Sequence, residues 1–344
     1  MKAPAFWFKP PNRAGLLTRA LAPAGAMWGL ATTLRAARAP RWTAPVPVIC
    51  LGNVTAGGAG KTPAAIAVLE RLAARGIAAH ALSRGYGGAA GREAPHRVDL
   101  ARDDAAEVGD EPLLLAAFAP VWVSPDRVAS ARAAAAAGAQ ALVLDDGFQN
   151  PALAKTLSLV VIDAASGFGN GRLIPAGPLR EPLSAGLARA EAALLLGSPE
   201  ACAKLRERTP ALDSLPVLEG EVRPRDIGLD WSQERVLAFA GIARPEKFFD
   251  TLRGLGADLV ATRAFADHQP YAPAALRRLE AEAEALGARL VTTEKDAVRL
   301  PTAFRGKAMP LPVTLHWRDA PAFDALLEAA LDAAPAGATG ARLP

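Results

Sequence analysis

The run from Leu51 to Pro63, LGNVTAGGAGKTP, holds the residues best suited to chemistry. Gly57, Gly58 and Gly60 are followed at once by Lys61 and Thr62. Glycines let backbone N–H groups curl around phosphate oxygens, and a helix starting at that point adds the positive end of its dipole. In the phosphate-loop pattern G-x-x-x-x-G-K-[ST], the lysine reaches the β- and γ-phosphates and the hydroxyl holds Mg2+. The candidate nucleotide-binding stretch is therefore Thr55, Ala56, Gly57, Gly58, Ala59, Gly60, Lys61 and Thr62. Its first position departs from the pattern, with Thr55 where glycine is expected. Either the threonine relaxes the loop or it marks a variant subclass. The loop of dimerising partition-type ATPases, K-G-G-x-G-K-T, is disfavoured, because Ala56 stands in place of the signature lysine.

A nucleotide-bound Mg2+ needs a carboxylate nearby. The segment ALVLDDGFQ ends an apolar strand in Asp145 and Asp146, the pattern of a Walker-B strand, which sets a carboxylate beside the phosphate loop. Acid pairs at strand ends also occur in ordinary turns. Phosphoryl transfer further needs a group to take the nucleophile's proton. Asp110 and Glu111 of GDEP open a helix, where acids also serve as caps and dipole partners. His268 of FADHQPY ends a strand and is equally at home in a surface loop. Arg84, Arg127 and Arg180 fall in expected loops, where a guanidinium grips phosphate or is simply solvated.

Elements able to position these groups follow from the hydrophobic pattern. VPVICLG is a short buried strand before the glycine loop, and PAAIAVLERLAARG is a helix after it, with proline tolerated in its first turn. Strand and helix then alternate as far as AALLLG. That order predicts an α/β, P-loop NTPase-like domain over residues 46–212, a mostly parallel sheet with helices on both faces. Residues 213–234 read as a linker. The alternation restarts over 235–330 as a smaller α/β domain closing on the nucleotide, and 331–344 form a C-terminal tail.

The chain has 344 residues, 51% hydrophobic and 22% charged, with a net charge of +4, enough for one large or two ordinary domains. Its two cysteines, Cys50 and Cys202, form no disulfide framework or zinc cluster, and a reducing setting fits. Residues 1–45 carry Lys2, Lys9, Arg13, Arg19, Arg35, Arg38 and Arg41 without a single acid. Between Arg19 and Arg35 the uncharged run is too short to span a bilayer and contains Pro23. With Trp7 and Trp28 nearby, the segment suits either an anionic membrane surface or the protein's own core.

Taken together, GNVTAGGAGKTP, LSRGYGG, GDEP, DDGFQ, GNGRLIPAGPLRE, FADH and TTEKDA, in this order, resemble the tetraacyldisaccharide 4'-kinase (lipid A 4'-kinase) family over nearly the whole chain. That family carries Thr or Ser where Thr55 stands. The resemblance implies transfer of the ATP γ-phosphate to the 4'-hydroxyl of a tetraacylated disaccharide 1-phosphate, with ATP and Mg2+, peripherally at the cytoplasmic face of the bacterial inner membrane. It makes Asp110 the general base, paired with His268, and Asp145 and Asp146 neighbours of Mg2+ and the γ-phosphate. Arg127, Arg180 and Glu181 become contacts to the acceptor or the moving phosphoryl group. Asn150 stands where the family often has His; asparagine can bond a sugar oxygen but carries no charge. The implied partners are the lipid disaccharide and an anionic membrane surface, with neither nucleic acid nor an obligate protein partner. The rival reading from the residues is a membrane-associated P-loop switch acting on a protein; no N-K-x-D guanine-reading motif is visible to support it.

Overall fold

The structure, a computed structural model, describes residues 4–9 and 15–333. Lys2, Arg13 and most of the expected tail lie outside the described residues. Among the described residues, thirteen strands alternate with helices. They are β1 (Val48–Gly52), β2 (Ala79–Ser83), β3 (His96–Arg97), β4 (Val121–Val123), β5 (Ala141–Asp145), β6 (Leu157–Asp163), β7 (Ala192–Leu196), β8 (Val217–Pro224), β9 (Arg235–Ala240), β10 (Asp258–Ala264), β11 (Arg289–Thr293), β12 (Ala308–Leu311) and β13 (Val313–Trp317). The large sheet has the order β13-β8-β7-β6-β1-β5-β2-β4-β3, and the small one β10-β9-β11-β12. Pairing is parallel throughout except at the two edges of the large sheet, β13 on β8 and β3 on β4.

Both sheets are covered on both faces, as the strand–helix alternation predicts. In β1, Ile49 and Leu51 pack against the helix α2 (Lys61–Ala74), whereas Val48 and Cys50 face the opposite layer with Ala131, Ala134 and Leu205. This period of two turns one short apolar run into the meeting point of two cores. The small sheet repeats the plan. Val236 and Ala238 meet Phe248 and Phe249 on one face; Leu237 and Phe239 meet Leu276 and Leu279 on the other.

The domain boundary is displaced from the sequence reading. The expected linker, 213–234, contains β8, which pairs with β7 inside the large sheet. The expected smaller domain, 235–330, gives back its end: β13 pairs with β8, and the helix Ala320–Asp332 packs Phe323 and Leu327 into the core behind α2. Asp324 of that helix accepts hydrogen bonds from Arg71 and Arg75 at 2.6 and 2.8 Å. The small sheet thus ends at β12, and the chain crosses between the domains twice. The returning β13 covers the edge that β8 would otherwise expose.

Candidate active site

Strand β1 delivers the glycine loop to the C-terminal edge of the large sheet, the edge at which open α/β sheets bind ligands. Gly57 has φ of 120° and Gly60 of 87°, conformations that side chains oppose. Among the described residues, chain neighbours aside, no atom lies within 4 Å of where a Cβ would sit on Gly57 or Gly58, so that side of the loop is an open cradle for phosphate oxygens. The loop's N-terminal limb is held by a ladder absent from the sequence reading. The Ala56 N–H donates to Pro178 O at 2.7 Å, and the Arg180 N–H donates to Val54 O at 2.8 Å. Thr55 bridges Leu179 antiparallel. Its hydroxyl meets Asn53 Nδ2 at 3.5 Å, and Asn53 Oδ1 accepts from Lys61 Nζ at 3.2 Å. Thr55 therefore shapes the loop through Asn53, a residue the motif reading missed.

Asp145 and Asp146 separate into different roles. Leu51 stands beside Asp145 in the β1–β5 register, so this carboxylate emerges next to the phosphate loop. Asp145 is buried, and its Oδ1 has no hydrogen-bond partner among the described residues. Burial, with Glu111 nearby, pushes its carboxyl up to about 7. Asp146 follows in a left-handed conformation, φ 53°. It accepts two bonds from Arg180 Nη1, at 2.9 and 3.1 Å, and lies 3.6 Å from Lys61 Nζ. Although burial alone would raise the Asp146 carboxyl, Lys61 and Arg180 hold it below the usual range.

Whether Mg2+ fits can be judged from Asp145. No cluster of three or more metal-binding side chains occurs among the described residues. Mg2+ seldom requires one, since it keeps waters and takes one or two carboxylates together with substrate phosphates. A buried, unpartnered carboxylate oxygen and the buried hydroxyl of Thr62 suit that pattern.

Asp110 opens the helix Asp110–Ala116 after Gly109, whose φ is 89°. Its Oδ2 lies 2.9 Å from His268 Nδ1, although 158 positions separate the two in sequence. The contact crosses from one domain to the other. His268 itself adopts φ of 57° in a turn after β10. Burial alone would raise the Asp110 carboxyl, but the His268 bond and the charges of Lys295 and Arg299 bring it below the usual range. The same bond raises His268. Glu111, the next residue, accepts from Lys295 Nζ at 2.8 Å across the cleft. A third crossing pairs Arg244 with Asp163 at 2.6 Å.

The raised His268 fixes the pH response of the Asp110 tie. Below about 6.5, its ordinary value, the imidazole is protonated whether or not the domains touch, and the ion pair contributes fully. As pH rises through the raised value the proton leaves, and the attraction fades. Interdomain distance, read by energy transfer between probes on introduced cysteines, is expected to lengthen in that window; both native cysteines are buried. The effect should vanish in His268→Ala. A pH response that persists unchanged in that variant would refute it.

The remaining expected contacts are placed unevenly. Arg180 faces the loop through Asp146, as described. Arg127 is buried; its Nη1 donates to Ser124 O at 2.8 Å, its Nε has no partner among the described residues, and burial pushes its value down to about 10. Glu181 is also buried, accepting from Gln149 at 2.9 Å and pairing with Arg189 at 2.7 Å. Its carboxylate braces the Arg180 loop and faces no solvent. Asn150 Oδ1 accepts from the Ala152 N–H at 2.9 Å, closing a local turn. Beside the dyad, Arg84, Tyr86 and Arg92 line a cavity of about 210 Å3. The Tyr86 ring meets His268 edge-on at 6.3 Å between centroids.

The N-terminal helix α1 (Leu16–Ala36) packs on the loop that carries Arg180. Gly25 and Gly29 are buried, a Cβ on either falling 3.1 and 2.6 Å from atoms of Leu173. The Trp28 indole donates to Arg180 O at 2.8 Å, and the Trp7 indole to Pro175 O at 3.0 Å. Small residues thus face the protein, while Leu16, Leu17, Met27, Leu30 and Leu34 face solvent. No helix among the described residues is long and apolar enough to cross a membrane.

The family model described as tetraacyldisaccharide-1-P 4'-kinase matches residues 17–332. The chain is 57% identical over 333 residues to the tetraacyldisaccharide 4'-kinase of Dinoroseobacter shibae, covering 96% of this chain and 97% of the relative. It is 56% identical over 331 residues to that of Rhodospirillum centenum, covering 95% and 96%. Among solved structures, the "apo" form of LpxK from Aquifex aeolicus in complex with ATP shares the fold, with a TM-score of 0.74 at 24% identity, covering 92% of this chain and all of that one. The chain belongs to the tetraacyldisaccharide-1-P 4'-kinase family.

Proposed function

We propose that the protein is a kinase that moves the γ-phosphate of ATP to the 4'-hydroxyl of a tetraacyldisaccharide 1-phosphate, with Asp110 as general base. The observation that carries this reading is the Asp110–His268 contact of 2.9 Å, assembled across the cleft on the phosphate-loop edge of the sheet. The acceptor hydroxyl gives its proton to Asp110 as its oxygen bonds to the γ-phosphorus; the bond from phosphorus to the β-phosphate oxygen breaks, and ADP leaves. Asp110 stays ionised near neutral pH, so it is ready to accept. His268 orients it by donating from Nδ1. Lys61, fixed between Asn53 and Asp146, and the N–H groups of the glycine loop balance charge on the transferred group. Bound Mg2+ would neutralise charge on the β- and γ-phosphates, held by Asp145 and Thr62. The cavity lined by Arg84, Tyr86 and Arg92 suits the anionic sugar, since guanidinium forks match phosphate. Family membership favours this reading over a nucleotide switch. A phosphoryl-transfer assay with ATP and the tetraacyl disaccharide 1-phosphate tests it. No product from folded, ATP-binding protein would overturn it.

We also propose that the protein works peripherally at the cytoplasmic face of the inner membrane. Support comes from α1, whose large apolar side chains face outward beside Arg19 and Arg35. Leu30→Asp with Leu34→Asp should lower partitioning onto anionic vesicles by at least about tenfold, since each exposed leucine buried in lipid is worth roughly 1.5–3 kcal/mol. Sedimentation with vesicles measures this. Equal binding of variant and parent would remove the helix as the membrane contact.

A further inference from the structure

We infer that Arg299 is a positioning residue for the dyad: it pegs the turn that presents His268 to Asp110, with Asp296 as its buried anchor. The inference rests on the kinase reading above. Arg299 follows β11 in the run TTEKDAVR and is almost wholly buried, its side chain 6% exposed. Beside the bond from Nε to Lys295 O at 3.1 Å, its guanidinium donates to two main-chain carbonyls at the histidine turn. Nη2 reaches Gly241 O at 2.8 Å and Nη1 reaches Gln269 O at 3.4 Å. Gly241 O is also the acceptor for the His268 N–H at 3.1 Å. One carbonyl thus joins the arginine to the histidine backbone. Since His268 holds a left-handed conformation without being glycine, its turn needs such outside restraint.

The anchor is as complete as the peg. Asp296 is fully buried. Its Oδ1 accepts from the Gly241 N–H at 2.9 Å, from the Tyr271 hydroxyl at 2.6 Å and from Arg299 Nη2; its Oδ2 accepts from the Thr293 hydroxyl at 2.6 Å. A buried charge pair persists when each member is bonded this fully, and it then specifies one geometry. Gly241 sits between them with no room to spare: a Cβ there would lie 3.1 Å from both Asp296 Oδ1 and the Tyr271 hydroxyl. The site falls between β9 and β11, where the strand order of the small sheet reverses.

Arg299 Nε also stands 3.9 Å from Asp110 Oδ2, the oxygen that His268 uses. The groups facing His268 are Asp110 across the cleft, Asp267 at 3.7 Å from Nε2, Lys295 and the Tyr86 ring. These surroundings give two roles for Arg299 opposite signatures. Were it only a nearby cation, removing it would raise the pH at which His268 titrates. If it pegs the turn, removing it frees His268 from Asp110, and the titration moves down toward the ordinary imidazole value.

The test uses the full-length protein. Arg299→Ala is expected to lower kcat by about a hundredfold, the scale of loss when a reacting group is held an ångström out of place. KM for ATP should stay within about twofold, because the contact serves the transition state only. Added guanidinium should restore part of the rate, and His268 should titrate lower by NMR, with His80, His96 and His316 as references. Tyr271→Phe, which removes one bond to Asp296, should show the same trends more weakly, and serves if the arginine variant does not fold. His268 titrating at or above its parent value in folded variants, or a rate loss that guanidinium leaves untouched, would overturn the assignment. Because the titration needs no lipid, it decides the role of Arg299 even if the parent protein fails the kinase assay.

Discussion

Asp110→Asn is expected to lower kcat by about three orders of magnitude, within the range a well-placed general base supplies, while ATP binds as before. The substitution keeps the size of the side chain and leaves an oxygen to accept the Glu111 N–H, now 3.1 Å from Asp110 Oδ1. It removes the charge and the ability to take a proton. His268 then loses the acceptor that raises it, so its own titration should fall in the same variant. ATP binding should survive, because the phosphate loop is braced elsewhere, by the Pro178 and Arg180 ladder and by Asn53. Single-turnover transfer to the lipid, with calorimetric ATP binding as control, measures both halves. A loss below about tenfold, roughly 1.4 kcal/mol of barrier, would mean that Asp110 does not carry the proton.

The parts of this site legible in the sequence are those made by neighbours in sequence. A β-branched run, a glycine loop and a helix form one continuous unit, so Lys61 and Thr62 fall where the motif puts them. Asp145 ends an apolar strand, and parallel pairing with β1 brings it to the loop. What stayed hidden depends on distant partners. Nothing in DDG says that Asp146 turns back to Lys61 and Arg180 while Asp145 keeps a free oxygen; that division needs the φ of 53° and an arginine 34 positions away. Glu181 looks like any loop acid until Gln149 and Arg189 enclose it. The return of β13 to the large sheet was equally unreadable, because a strand's pattern gives its faces and not its neighbour. The cross-cleft partner Lys295 lies in TTEKDA, a motif carried only by the resemblance, and Arg299 lies two residues beyond it. Their use emerges once β11 ends opposite the helix that starts at Asp110.

Asp145→Asn is expected to weaken Mg2+ binding by at least about tenfold and to slow transfer by about a hundredfold, since charge neutralisation at the phosphates is worth several kcal/mol. The argument rests on which oxygen is free. Asp146 is committed to Arg180 and Lys61, whereas Asp145 Oδ1 is buried and unpartnered, a costly state that a cation would relieve. The proton is the competitor. With its carboxyl pushed up to about 7, Asp145 must lose a proton to bind metal, so apparent Mg2+ affinity should weaken as pH falls below about 7. Asparagine cannot take up that proton, and the pH dependence of metal binding should disappear with the charge. Asp146→Asn should behave differently. It frees Lys61 and Arg180 and so disturbs phosphate binding, but leaves the pH dependence of metal affinity in place. Calorimetry with Mg2+ and a non-hydrolysable ATP analogue at two pH values separates the variants. If Asp145→Asn keeps both the affinity and its pH dependence, the metal is held by another group and the assignment of the two aspartates must be exchanged.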